Sequence, residues 1–538
     1  MTSVTLEGFV HADGGRLVDG GGRPLLMRGV GLGNWLLPEG YMWRFPEGVA
    51  QSAREIEALV ADLVGDAAAA GFWQRFRDAY IAEEDIAAVA AAGFDHVRLP
   101  LNARHLLGGD GQLLAEGLAP IDRLVEWCRA HRLWVILDLH AAPGGQTGTN
   151  IDDSERGQPD LFVVGGRYRE RTIALWSQLA ARFRDEPVIA GYDLLNEPLP
   201  HEYGERYAAE LVALYRDLTD AVRSVDPNHL LVYEGTRWSS DWSIFSEVWD
   251  ANSMLQFHRY WIAPDRASVE PYVERGRALS LPIYMGEGGE NDQAWLQTAF
   301  GLYEDLGISW NHWPWKKLDT WNSPLSVTPP QGWPAVVDYA AGTGPRPTTP
   351  EAQRTFDELL EQVRFGACEP RPEVIGALFR RAPLRLAAEA FGFGGAGRSY
   401  QTGGGVPLSW FRADDAVTIR CLGDDEPGSL FGPTDAAGFK PRFELIIGDG
   451  DWVEYSIDVA APERLTVQAE PPPPSSGRSR LPAVWLDGEP LAPEADGRDV
   501  RWISAKSVTP GRHALRIEGR HPDTTLRSLW VGTEQGRR

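Results

Sequence analysis

The stretches Tyr192-Asp193-Leu194-Leu195-Asn196-Glu197-Pro198 and Pro282-Ile283-Tyr284-Met285-Gly286-Glu287 decide the fold. Each is a short apolar run of strand-forming residues that closes on a carboxylate, and Asn196 stands directly before the first Glu. The two carboxylates lie 90 residues apart, from position 197 to 287. That interval is too long for a local motif. It fits two strands of a repeating β/α unit with two further strands between them. Working outward, similar runs occur at Leu25–Gly33, Asp95–Pro100, Leu133–His140, Ile189–Glu197, Leu230–Glu234, Met254–His258, Ile283–Glu287 and Ile308–Trp313. Amphipathic stretches such as Glu83–Ala92, Ile121–His131, Tyr168–Phe183 and Tyr207–Val225 separate them. Eight such units predict a (β/α)8 TIM barrel over residues 1–380, with its motif residues at the C-terminal strand ends.

The break Pro345–Pro350 precedes one more helix, Glu351–Arg364, expected to close the barrel. From about residue 384 the texture changes to short alternating strands between Gly, Pro and Asp, including Phe443–Ile447, Trp452–Val459, Leu465–Ala469, Ala483–Leu486 and His513–Glu518. Residues 384–538 therefore predict an all-β, jelly-roll-like sandwich. Pro471–Pro474 with Ser475-Ser476-Gly477 reads as an exposed loop inside it. After the first and third strands, Glu39–Asp85 and Ala141–Gly166 read as long loops that wall a cleft into a pocket.

At 538 residues the chain exceeds one ordinary domain. Its net charge of −24 argues against nucleic acid and anionic membranes as partners. The 21 Trp are far above ordinary usage; core packing accounts for half of them or more, and places beside Pro, His or Asn at strand ends favour some as sugar-stacking platforms. Cys128, Cys368 and Cys421 form neither a metal-ligand pattern nor a disulfide framework. The start, Met1 to Glu7, has no basic or apolar leader segment. This places the chain in the cytoplasm as given, or outside the cell if a leader has been removed.

Two carboxylates at the ends of separate strands suit glycosidic bond cleavage. One protonates the leaving oxygen, and the other attacks or stabilises the oxocarbenium-like centre. The His, Asp and Glu residues show no metal-ligand spacing, so no cofactor is required for catalysis.

With these motifs in place, the first 380 or so residues resemble glycoside hydrolase family 5 of clan A, and within it the exo-β-1,3-glucanase group. The carriers are Gly33-Asn34-Trp35-Leu36-Leu37-Pro38-Glu39, Val97-Arg98-Leu99-Pro100 and Asp138–Gln146. Asn196-Glu197-Pro198, His258-Arg259-Tyr260, Gly286-Glu287 and Trp313-Pro314-Trp315-Lys316 follow in family order. The resemblance implies Glu197 as general acid/base and Glu287 as nucleophile, with Arg98 keeping Glu287 ionised and Tyr260 donating to it. It further implies that His258 orients the network and that Asn196 donates to the sugar 2-hydroxyl. His140 and Glu39 would grip hydroxyls of the −1 sugar, and Trp313 would form its floor. Two departures stand near the substrate entrance: Gly288-Gly289, where the family places an aromatic residue, and Lys317-Leu318-Asp319.

The C-terminal part resembles carbohydrate-binding modules of families 6 and 35 through Ala388-Glu389-Ala390-Phe391, Gly450–Ile457 and Pro510–Ile517. There the resemblance implies a structural calcium site with Glu389 as a ligand, although no late acidic ligand stands around residues 526–530. The expected activity is that of a retaining, exo-acting β-glycosidase on β-glucosides or short β-glucans. A diglycosidase or deconjugating enzyme that frees a disaccharide or glucose from an aglycone is the alternative. A catalytically inactive carbohydrate-binding protein is the remote one.

Overall fold

The computed structural model describes residues 6–423, 429–433, 438–470, 481–496 and 499–533. Eight strands close a parallel barrel: β1 (Arg28–Gly31), β2 (His96–Asn102), β3 (Trp134–Ala141), β4 (Ile189–Asp193), β5 (Leu230–Glu234), β6 (Ser253–Tyr260), β7 (Ile283–Gly289) and β8 (Ser309–Trp313). They pair in chain order, and β8 returns to β1 with Trp310 opposite Arg28. Helices cover the outside, so the strands are buried on both faces and read as continuous apolar runs. The lower barrel interior is apolar, with Trp134, Ile136, Ala190, Val232, Met254 and Tyr284 packed over Met27, Val10 and Leu17. Higher on the same strands, polar side chains such as Arg98, Asp138, His140 and Asn196 are buried instead. Polarity changes along the barrel axis, and the site lies at its C-terminal end.

The region Glu39–Asp85, read as a long loop, is mostly helical. It contains α1 (Ala53–Val64) and α2 (Asp66–Ala79). A Ser52/Glu55 capping box starts α1, and Ile56, Val60 and Leu63 form its buried stripe. The next helices are α3 (Glu83–Ala92), α4 (Ala115–His131) and α5 (Arg167–Phe183), followed by α6 (Ala208–Arg223), α7 (Arg266–Leu279) and α8 (Gln293–Asp305). The expected closing helix forms as α9 (Thr349–Gln362) but packs on α1 and α2. The helix set against α8 is α10 (Pro372–Phe379), whose Phe379 meets Phe94 and Trp310.

The C-terminal region holds two five-stranded sheets and one three-stranded sheet among the described residues. Val453, Tyr455, Ile457 and Val459 alternate inward along Trp452–Val459, as a half-buried antiparallel strand requires. Leu384–Ala387, Asp499–Ile503 and Ser528–Thr533 are strands not anticipated from local alternation. The Pro471–Gly477 segment and residues 1–5 lie outside the described residues. Glu304 on α8 fastens the sandwich to the barrel. Arg28 reaches it at 2.6 Å and Arg380 at 2.7 Å, and Arg512 also pairs with it. Among the described residues, no helix is long and apolar enough to cross a membrane.

Candidate active site

Arg98, on β2 and fully buried, organises the site. Its Nε donates to Asp193 at 2.9 Å, and its terminal nitrogens donate to Glu287 and Asn196 at 2.8 Å each and to Glu234 at 3.1 Å. Asp138 lies at 3.2 Å. A planar guanidinium can serve this fan of acceptors from β3, β4, β5 and β7, which an ammonium cannot. Four carboxylates around one cation leave an excess of negative charge. Burial pushes Asp138 up to about 8 and Asp193 well above the ordinary carboxylate range, so both tend to hold protons.

Glu287 projects from β7 beside a bulge, where Met285 pairs with Phe257 and Glu287 with His258. Gly286 is required there, because a Cβ would lie 2.1 Å from Gln256 Cδ. Tyr260 Oη donates to Glu287 Oε1 at 2.9 Å and Arg98 donates to Oε2 at 2.8 Å. Burial raises the Glu287 carboxyl, while His258 and Arg98 pull it down. The net shift is upward, so Arg98 and His258 offset the burial of Glu287 only in part.

Glu197 follows the end of β4 with a left-handed φ of 42°, an unfavourable conformation for a residue with a Cβ. Its N–H donates to Glu234 Oε2 at 2.7 Å, and its Oε1 lies 2.7 Å from His258 Nδ1. Burial alone would lower the His258 pKa, but Glu234, Glu287 and Glu197 raise it well above the usual value. A carboxylate oxygen of Glu197, one of Glu287 and a ring nitrogen of His258 all lie within 4.8 Å of one another. These groups are close enough to share a metal ion, and His258 Nδ1 already engages Glu197 directly.

Asn196 gives its Oδ1 to Arg98, which turns its Nδ2 toward His140 Nε2 at 3.3 Å. His140 then carries its proton on Nδ1, which donates to Asp138 at 2.7 Å. Burial lowers the His140 pKa to about 4, so this ring is neutral. Trp313 is buried, and the His140 ring runs parallel to it at 5.5 Å. A Cβ on Gly31 would lie 2.4 Å from the Trp313 ring, so glycine permits the close approach. Trp313 Nε1 donates to Tyr41 Oη at 2.8 Å. Glu39 is also buried. Desolvation and repulsion from Glu287, Glu290 and Glu197 raise its pKa well above the usual range.

Every barrel residue singled out from the sequence thus gathers at one end of the barrel. Glu389 does not, because it sits in the sandwich. Its Oε2 is buried without a hydrogen-bond partner, and burial raises its pKa to about 8. The nearby charges are Arg442, Arg412 and an Asp292 already paired with Arg442. Among the described residues no group of three acidic or His ligands includes Glu389, and two guanidiniums beside it do not suit a calcium ion.

Sequence reading missed Asp138, Asp193, Glu234 and Gln256. Glu234 carried a usable signal, since Leu230–Glu234 is itself an apolar run closing on a carboxylate. Tyr41 and Glu290 were also missed, while Lys317 lies in a departure already noted near the entrance. Lys317 pairs with Glu290 and lies 5.5 Å from the Tyr41 ring. Trp35 and Trp315 are core, donating to Arg77 O and Asp85, whereas Trp261 is 40% exposed. Glycines follow Glu287 because an aromatic does not fit. A Cβ on Gly288 would lie 2.6 Å from Arg259 O.

Two facing Glu carboxylates at the strand ends of a (β/α)8 barrel define a glycoside hydrolase. The chain belongs to glycoside hydrolase family 5 and acts on β-glycosidic bonds. The family model described as Cellulase (glycosyl hydrolase family 5) matches residues 64–319. A β-xylosidase of Phanerodontia chrysosporium is 33% identical over 349 residues, covering 58% of this chain and 71% of that one. A probable glucan 1,3-β-glucosidase A of Emericella nidulans is 31% identical over 277 residues, covering 48% of this chain and 66% of its own length. Among solved structures, a β-glucanase from Saccharophagus degradans in complex with cellotetraose has 17% identity and a TM-score of 0.42, covering 66% of this chain and 95% of that one.

Proposed function

We propose that this protein is a retaining, exo-acting β-glycosidase of β-glucosides or short β-glucans, working by double displacement. The observation that carries this reading is that Glu197 and Glu287 each bring a carboxylate oxygen to within 4.8 Å of the other's. Retention needs carboxyls about 5 Å apart, whereas inversion needs room for a water between them. Glu287 attacks the anomeric carbon while Glu197 protonates the departing oxygen. Arg98 and Tyr260 hold Glu287 on line, and glycosylation removes its charge. Glu197, now ionised and held by His258, deprotonates the water that frees the sugar. The second N–H of Asn196 Nδ2 is available to the 2-hydroxyl, Glu39 supplies a further hydrogen bond, and His140, engaged by Asp138 and Asn196, orients the amide.

Exo action is supported by closure across the mouth. Asn150, from the loop after β3, reaches Glu39 at 3.3 Å, and Arg54 of α1 donates to the Asp153 carbonyl at 2.8 Å. The exposed Trp261 favours a second reading, in which an apolar aglycone occupies the leaving-group side and the enzyme deconjugates glycosides. The relatives' names support glucose or xylose as the sugar. We also propose that residues 1–380 act as the catalytic unit and 384–538 as a carbohydrate-binding-module-like sandwich.

The test is a time course on 4-nitrophenyl β-glucoside, 4-nitrophenyl β-xyloside and laminaribiose, with the product anomer followed by NMR and Glu287→Gln as control. Release of the β-anomer, abolished in the control, supports the proposal. Release of the α-anomer first, or equal rates in control and wild type, contradicts it. Binding without turnover would indicate the inactive carbohydrate-binding protein.

A further inference from the structure

The sandwich reaches the barrel at the loop that follows Glu287. β7 ends at Gly289, and Glu290 comes next with a left-handed φ of 48°. Its side chain pairs with Lys317 and its carbonyl accepts from Trp261 Nε1 at 3.3 Å. The next two residues, Asn291 and Asp292, are buried and held by the sandwich. Arg442 donates to Asp292 at 3.0 and 2.5 Å and to Asn291 Oδ1 at 3.4 Å. Asn291 in turn donates to the Phe431 carbonyl at 2.9 Å. Arg442 is itself fixed by donating to Leu430 O at 2.9 Å and by Phe431, whose ring centre lies 5.4 Å away.

The hold extends sideways. Asp292 caps α8 by accepting from Trp295 N, and Trp295 Nε1 donates to Ile262 O at 2.8 Å, beside Trp261. The sandwich therefore grips the backbone that carries Glu290 and, through Trp295, the backbone that carries Trp261. Both residues stand one position beyond the end of a barrel strand, where the ladder no longer holds them. Glu290 holds a left-handed φ and its ion pair with Lys317 is largely buried, so its position depends on how the loop that carries it is fixed.

We propose that Arg442 is a positioning residue for substrate binding: by fixing Asn291 and Asp292 it sets Glu290 against Lys317 and completes the sugar pocket wall from the sandwich. The residue acts on how well the sugar chain is gripped and does not take part in bond cleavage. For its substrates the test rests on the β-glycosidase reading above.

Arg442→Met alone would strand a buried Asp292 charge. The full chain is therefore made as R442M/D292N, where Asn keeps the helix-capping acceptor. R442K serves as the milder variant, and E290Q leaves the Arg442–Asp292 pair intact. Backbone hydrogen exchange over residues 288–296 is measured without substrate, and kinetics are measured on 4-nitrophenyl β-glucoside and laminaribiose. In the folded double variant, exchange over this segment is expected to quicken about tenfold or more. KM for laminaribiose should rise about tenfold while kcat on the aryl glucoside stays within about threefold. E290Q should raise the same KM, and combining it with R442M/D292N should give less than the product of the two effects.

A folded double variant with wild-type exchange and wild-type KM overturns the proposal. If the double variant does not fold, R442K decides: faster exchange with a raised KM supports the proposal, and wild-type values for both overturn it. Wild-type inactivity on both substrates would count against the glycosidase reading alone, and the exchange measurement would still decide the role of Arg442.

Discussion

Glu234 accepts the backbone N–H of Glu197 through Oε2 at 2.7 Å, while its Oε1 faces Arg98 at 3.1 Å. Glu197 sits at a φ of 42° immediately before Pro198, where a side-chain-bearing residue is strained by about 1–3 kcal/mol. Glu234 is the group that keeps this conformation in place and ties it to the central guanidinium.

Glu234→Gln should therefore fold and bind but turn over slowly. The amide can accept only one of these bonds and brings no charge to Arg98 or His258. A loss of about 100-fold in kcat with a smaller change in KM is expected, the size of a misplacement rather than of a lost carboxylate. Steady-state kinetics check this. A fall in kcat equal to that of Glu287→Gln would mean that Glu234 does more than hold Glu197.

The buried acids make stability depend on pH in a defined direction. Asp138 has its folded pKa raised to about 8 by burial, above the unfolded value of about 4. Its contribution is fully present below about pH 4 and is lost as pH rises through about 8. His258 is raised as well, so it acts in the same sense from about pH 6.5 upward. Asp138→Asn removes one of these titrations. Its Tm should gain on the wild type between pH 5 and 8 and then run parallel to it. Parallel curves across the whole range would show that Asp138 is ionised in the folded protein.

Gly31→Ala places a methyl group 2.4 Å from the Trp313 ring, and the ring is held by Tyr41 and His140. The ring must tilt. A loss of about 1–3 kcal/mol in stability is expected from overpacking, with a raised KM because Trp313 and His140 move together. Urea unfolding beside kinetics checks both, and unchanged KM would remove Trp313 from the substrate surface.

Trp261→Ala should leave stability within about 0.5 kcal/mol, because the side chain is 40% exposed. If it stacks on the leaving group, KM for aryl glycosides should rise several-fold. Equal KM values would place Trp261 outside the leaving-group site.

The barrel was legible because its strands are apolar runs, five of which close on a His or Glu, and all eight positions recur in the structure. The residues around Glu197 and Glu287 were legible because they sit on those ends. Asp138, Asp193 and Glu234 follow the same rule, yet their importance comes from Arg98, a contact 40 to 136 residues away in sequence that no local pattern reveals. The helices α1 and α2 were missed although Ser52, Glu55 and the 56, 60, 63 stripe announce the first of them. In the sandwich, Leu384–Ala387 and Ser528–Thr533 pair with each other across the length of the domain. Such strands are defined by distant partners more than by their own alternation. The charges around Glu389 were hidden for a similar reason, since Arg442 and Arg412 come to its surroundings from far along the chain.

The central claim is that Glu287 becomes covalently glycosylated with Glu197 as its acid/base partner. A 2-deoxy-2-fluoro β-glucoside with an activated leaving group, followed by intact-mass and peptide mass spectrometry, tests it most directly. A mass increase of one fluoroglycosyl group, located on Glu287 and absent in Glu287→Gln, is the result expected. Turnover of the unfluorinated substrate with no adduct, and with the α-anomer released first, would contradict the account.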